Sequence, residues 1–204
     1  MATATTTRKA AFSDSFAEGK STEARFESKA IEHGYAVEHA SREDDMKNHF
    51  DFVLRKAGKD DEDLMLKVDV KGMKRIVRSD AFVQDDFFWV ELKRSGWLFG
   101  GKADLIAFEL RDNHWMLVKR EKLAEFVDTF VERKAYTVDH PHNASFGVYL
   151  RESFSSSSGG YGSGGGRRRM KRITDEDLEK MEQLTLVPKK DLEEYASEVV
   201  FEVW

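Results

Sequence analysis

The segment LMLKVDVKGM, Leu64 to Met73, decides how this chain is read. Side chains on a strand alternate between faces, so Lys67, Asp69 and Lys71 share one side and Leu66, Val68 and Val70 the other. The aliphatic side belongs to a core, and Gly72 ends the strand. The other side sets a carboxylate between two lysines. Carboxylate oxygen is a hard ligand suited to a divalent cation, and a lysine two residues on puts a positive charge beside it. Taken alone, Asp69-Val70-Lys71 is first an ordinary amphipathic edge strand. The residues before it change that balance.

Working upstream, the polar turn KAGKDDED, residues 56–63, separates this strand from FDFVL, Phe50 to Leu54. Their spacing suits an antiparallel hairpin, which brings Asp51 and Asp69 onto neighbouring strands. An acid among apolar residues is costly to bury unless it is paired, hydrogen-bonded or bound to a metal. Asp51 therefore calls for either backbone N–H donors, a lysine, or a cation shared with Asp69. Before it, Ser41 to Lys47 reads as a charged loop, and Tyr35, Val37 and His39 alternate as a first strand. A helix is expected from about Ser21, capped by Ser21 or Thr22, with Ala24, Phe26, Ala30 and Ile31 toward the core and Gly34 as its stop.

The order is then a helix acid, a strand, Asp51, a hairpin, and Asp69-x-Lys71. This resembles the PD-(D/E)XK nuclease superfamily, most closely the layout of archaeal Holliday-junction resolvases. The resemblance covers about Ser21 to Gly72, and more loosely the strands out to Glu109. It implies a restriction-endonuclease-like fold and a Mg²⁺-dependent (or Mn²⁺-dependent) endonuclease, a hydrolase of phosphodiester bonds in DNA. Residue by residue, Glu23 matches the helix acid, Asp51 the lone aspartate, and Asp69 and Lys71 the final pair. Asp51, Asp69 and Glu23 would be the metal ligands and Lys71 the water-orienting cation. Phe50 stands where the family pattern has proline, and Glu27, one turn beyond Glu23, competes for the helix position. Resolvases of this kind act as dimers, so a homodimer is an open expectation, as is a phage or mobile-element origin.

Downstream, Lys71 is followed by Lys74, Arg75 and Arg78, a local basic cluster of the kind a backbone-tracking groove needs, or a solvated turn. FFWVELK is a further strand whose Glu91-x-Lys93 rivals the first acid–lysine pair. Trp97 and Phe99 lie among glycines, suited to stacking on bases or to covering a turn. Ala103 to Leu110 and His114 to Val118 are apolar strands joined by RDN, and Lys119 to Tyr136 is an amphipathic helix. The histidines of DHPHN, His140 and His142, read as surface loop. Ser153 to Gly166 is a Ser/Gly linker. Arg167, Arg168 and Arg169 open a basic run that can contact phosphates or simply be solvated. Beyond Thr174 two short helices are expected, docked on the main domain or binding a partner through Val199, Val200, Phe201, Val203 and Trp204.

Composition bounds these readings. A length of 204 residues allows one sizeable domain plus an appendage. The net charge of −5 gives no global pull toward nucleic acid, so a polyanion site must be local. The absence of cysteine excludes disulfides, thiolate zinc sites and thiol nucleophiles. No apolar run reaches membrane-spanning length and no signal peptide is evident, which suggests a soluble cytoplasmic protein, host cytoplasm if phage-encoded, with no membrane partner. The expectation is an α/β (α+β) domain, a mixed sheet flanked by helices, over residues 20–150. A loose arm (1–19) precedes it, and a linker with basic cluster (151–172) and a helical tail (173–204) follow. DNA is the expected partner, with RNA as an alternative. A non-catalytic nucleic-acid-binding protein of the same fold, or a virion or assembly protein acting through its tail, are the competing functions.

Overall fold

Strand β3 (Leu64–Lys71) lies third in a six-stranded sheet, and every neighbour of the candidate site is fixed by that place. The computed structural model describes residues 4–57, 64–76, 80–131, 148–151, 182–195 and 198–204. Helix α1 (Ala4–Glu32) leads into β1 (Ala36–His39), α2 (Arg42–Asn48) and β2 (Phe52–Lys56) before β3. β4 (Phe87–Glu91) follows, then β5 (Leu105–Glu109), β6 (Trp115–Lys119) and α3 (Arg120–Phe130). The remainder is β7 (Tyr149–Arg151), β8 (Glu182–Pro188), α4 (Lys189–Glu194) and β9 (Val200–Val203). The large sheet runs β1-β2-β3-β5-β6-β9, and a smaller one runs β4-β8-β7. The fold is thus a mixed α/β architecture: β1, β2 and β3 are antiparallel, β3 and β5 parallel, and β5, β6 and β9 antiparallel.

The period-two pattern of β3 reads out as expected. Val68 is fully buried beneath α1 with Phe26, Phe52, Leu54, Leu105, Ala107, Trp115, Leu117 and Trp204, and Leu66 and Val70 pack at the edge of that cluster. Asp69 and Lys71 point to the opposite side, where Ile106, Phe108, Met116 and Val118 join α3 and the small sheet in a second core. With a core on each side, β5 is buried along its whole length, which is why LIAFE carries no polar alternation. Phe26 anchors α1: its ring lies 5.8 Å from Phe52, 5.1 Å edge-on from Trp115 and 5.7 Å stacked on Trp204. Truncating such a ring to alanine costs about 3–5 kcal/mol.

Several sequence expectations need correction. α1 begins at Ala4, not near Ser21, so residues 4–19, expected as a loose arm, are helical. Thr, Ala, Lys and Glu there all tolerate a helix, and the lone Gly19 does not break it. Ile31, expected in the core, is 57% exposed. The charged segment 41–47, expected as loop, forms α2. Ser41 caps it, its Oγ accepting from the Asp44 N–H at 3.1 Å, with three acids in the first turn. α3 stops at Phe130 rather than Tyr136, and residues 132–147, with His140 and His142, lie outside the described residues.

The tail is corrected most. Glu182, Gln183 and Leu184, expected at the end of a helix, begin β8, and the last residues form β9; among the described residues of the tail Lys189–Glu194 is helical, while residues 173–181 lie outside them. Thr185, Leu186 and Val187 are all fully buried, so the strand is a short two-sided apolar run without a period of its own, and the acidic helix formers before it dominate the local signal. The segment docks on the main domain, one of the two outcomes anticipated, with Val199 and Trp204 buried. It therefore completes both sheets instead of standing apart as a helical extension. Among the described residues no helix is long and apolar enough to cross a membrane.

Candidate functional site

At the end of β3 an open cleft of about 170 Å³ is lined by Glu23 from α1, Asp45 and His49 around α2, Asp51 before β2, and Asp69, Val70, Lys71 and Gly72. Gly19, Thr22 and Trp97 complete the wall. The four residues singled out from sequence, Glu23, Asp51, Asp69 and Lys71, thus share one cavity. Glu27, the competing helix acid, does not line it: it pairs with His39, Nε2 to Oε1 at 3.2 Å. Glu91 lies on β4 in the small sheet, outside the cleft, and is not beside the first pair.

Asp51 sits one residue before β2 rather than within it, yet the ladder still holds its backbone. Its N–H donates to the Val68 carbonyl at 2.8 Å, and its own carbonyl accepts from Ala40 at 2.8 Å. Its carboxylate Oδ2 accepts from the Val70 N–H at 2.7 Å. Burial, followed by the facing Asp69 carboxylate, pushes the Asp51 carboxyl up to about 7, against the opposing pull of the Val70 N–H and the Lys71 ammonium. Asp69 is 4% exposed. Its Oδ1 accepts from Lys71 Nζ at 2.7 Å, and its Oδ2 is buried with no hydrogen-bond partner. Lys71 Nζ also lies 5.0 Å from the centre of the Trp97 ring.

Glu23 is held at the cleft wall by the way α1 docks. Two residues on, Arg25 pairs with the buried Glu109 of β5, Nη2 to Oε1 at 2.6 Å and Nε to the same oxygen at 2.8 Å. Glu109 Oε2 accepts from the Met73 N–H at 3.2 Å, so one carboxylate ties α1 to the chain leaving β3. Gly72 makes the close approach possible, because a Cβ there would stand 2.9 Å from Thr22 Oγ1. Hydrogen bonds to such a charged group contribute about 1.5–3 kcal/mol. Glu23 itself accepts from the exposed Lys20, Nζ to Oε2 at 2.8 Å.

The residues present suit a divalent cation. Two carboxylates face each other, one with its proton affinity raised by the other, and a buried carboxylate oxygen lacks a donor; a cation between them satisfies both. Asp51 and Asp69 are the pair that would hold it, with Glu23 at the wall. No group of three or more metal-ligating side chains is preformed among the described residues. Of the basic residues singled out, Lys74 and Arg75 are exposed on the chain leaving the cleft, while Arg78, Arg167, Arg168 and Arg169 fall outside the described residues.

Sequence reading missed Asp45, His49, Thr22 and the Arg25–Glu109 pair. Asp45 and His49 were hidden by taking residues 41–47 as loop; the Ser41 cap followed by three acids was the available signal. Arg25–Glu109 spans 84 residues of sequence and left no local trace. No protein-family model matches the chain, and no curated protein or solved structure matches it significantly.

Proposed function

We propose that this chain is a Mg²⁺- or Mn²⁺-dependent endonuclease that hydrolyses phosphodiester bonds in DNA. The observation that carries the reading is the convergence of Glu23, Asp51, Asp69 and Lys71, from three separate elements, on one cleft. The antiparallel β1-β2-β3 unit with a parallel β5 beside it supports the same reading.

The chemistry follows from the residues. Asp51 and Asp69 would hold the cation, which when bound would supply a Lewis acid for the phosphate. Lys71 sets an ammonium group beside Asp69, where it offsets charge growing on the phosphate oxygens and orients the attacking water. Asp51 Oδ2 is committed to the Val70 N–H, so Oδ1 is the atom left to face the cation. Lys74 and Arg75 stand where a strand leaving the cleft meets positive charge.

The test is calorimetric titration of Mg²⁺ or Mn²⁺ into the wild type and an Asp51→Ala/Asp69→Ala variant, followed by cleavage of branched and linear DNA, with RNA in parallel. Binding lost in the variant, with cutting that follows the metal, is the expected result. Equal binding in both proteins, or none in either, overturns the reading. A second reading, a nucleic-acid-binding protein that keeps the fold without catalysis, is favoured by the engagement of Glu23 with Lys20 rather than with the facing carboxylates. Metal-independent DNA retention without cleavage selects it.

A further inference from the structure

We infer that Trp97 is a positioning residue for Lys71, and that residues 93–101 form a rigid turn whose role is to carry that indole to the cleft. The inference rests on the nuclease reading only for its catalytic consequence. The Lys71 ammonium is held from two sides, by Asp69 Oδ1 at 2.7 Å and by the Trp97 ring at 5.0 Å. A lysine has four rotatable side-chain bonds and leaves a loose charge unless something confines it. The negative face of an indole is the strongest aromatic partner for a cation, and more so where water is partly excluded. Lys71 is three-quarters buried, which meets that condition.

The turn is built to leave Trp97 little freedom. Gly96 N–H donates to the Lys93 carbonyl at 2.9 Å, and Gly100 N–H to the Gly96 carbonyl at 2.8 Å. At Gly100 and Gly101 no larger residue fits without a backbone shift, whereas at Gly96 it would displace the movable end of the Glu91 side chain. A Cβ on Gly96 would overlap the Glu91 carboxylate, one on Gly100 would stand 2.9 Å from the Ser95 backbone, and one on Gly101 would overlap the Trp97 carbonyl oxygen. The backbone on each side of Trp97 is also pinned. His49 Nε2–H donates to the Ser95 carbonyl at 3.2 Å, and Arg120 Nη1 to the Leu98 carbonyl at 2.9 Å. Leu98 is fully buried, and the Trp97 ring meets Phe108 edge-on at 6.4 Å between centres. Glu91, the acid of the second acid–lysine pair, packs against Gly96 and so belongs to this turn.

The test uses the full chain with its lysine amines ¹³C-dimethylated, the Lys71 signal being assigned by its loss in Lys71→Arg. A methyl group over an indole face is shielded, so the Lys71 signal lies upfield of the other lysines in the wild type. It returns to their position in Trp97→Leu and stays partly shifted in Trp97→Phe. In the cleavage assay Trp97→Leu lowers kcat about tenfold with KM for DNA unchanged, and has no further effect in a Lys71→Met background. A Lys71 signal unmoved by Trp97→Leu overturns the inference, as does an effect that multiplies with that of Lys71→Met. Should Trp97→Leu fail to fold by circular dichroism, Trp97→Phe decides: a Lys71 signal there identical to the wild type overturns the inference. A wild type that cuts nothing defeats the nuclease reading, while the resonance still decides the role of Trp97.

Discussion

Two acid–x–lysine tripeptides lie on strands of this chain, and they have different fates. Asp69-Val70-Lys71 ends a strand inside a six-stranded sheet, beside Asp51 and beneath the N-terminal helix. Glu91 is the last residue of a strand of a three-stranded sheet, and Leu92 and Lys93 lead from it into a glycine turn, against which the Glu91 carboxylate packs. The residue types and spacing are alike. What separates them is the neighbouring strand: β2 delivers a second carboxylate to Asp69, whereas β8 sets Leu184 opposite Glu91. Chemistry here is a property of what the sheet brings alongside, not of the tripeptide.

The sharpest way to break this comparison is to exchange charge for amide at both acids. Asp69→Asn should reduce cleavage at least about thousandfold with the fold intact by circular dichroism, whereas Glu91→Gln stays within about threefold. Equal losses would erase the distinction. The lysines extend it at smaller scale: Lys71→Met should lose about a hundredfold in kcat, and Lys93→Met nothing measurable under the same assay.

Stability against pH sharpens the comparison further. The Asp51 carboxyl is raised from its ordinary 3.8 to about 7, so the folded state binds this proton more tightly than the unfolded chain does. Its contribution is fully present below pH 4 and is lost as pH rises through 7. Thermal melts of metal-free protein should therefore show a stability component that falls across that window, and Asp51→Asn should abolish it. At pH 8 the variant should be the more stable protein, by on the order of 2–4 kcal/mol, while being inactive. Glu91→Gln should leave that window unchanged. The smallest effect is expected at Arg75: Arg75→Ala should weaken DNA binding uniformly and lower the slope of log affinity against log salt by about one.

How far the sequence foretold this arrangement depends on the range of the signal. The β2–β3 hairpin and the shared side of Asp69 and Lys71 follow from period-two alternation and a polar turn, all within a few residues, whereas the register is read from the sheet itself. The strands β5 and β6 are plain for a different reason, as short continuous apolar runs bounded by turn residues. The choice of Glu23 over Glu27 was not available locally, since both lie on one helix a turn apart; it took the Arg25–Glu109 tie and Gly72 to fix which faces the cleft. The tail was misread because KMEQL and DLEEYASEVV carry good helix formers, and only pairing with β4 and β6 makes strands of their neighbours. Tertiary context overrode propensity there.

That pairing has a consequence for how the molecule assembles. Phe26, near the start of the chain, stacks on Trp204, and β9 closes the sheet against β6. The helix that carries Glu23 is therefore clamped in part by a contact between residues far apart in sequence, a kind of contact that slows folding. A nascent chain lacking residues 182–204 presents β4 without its β8 partner and β6 without β9, two open edges able to recruit strands from other copies. The acids of the cleft all lie between residues 23 and 69, so what the tail adds is not their pairing but the closure of the edges around them.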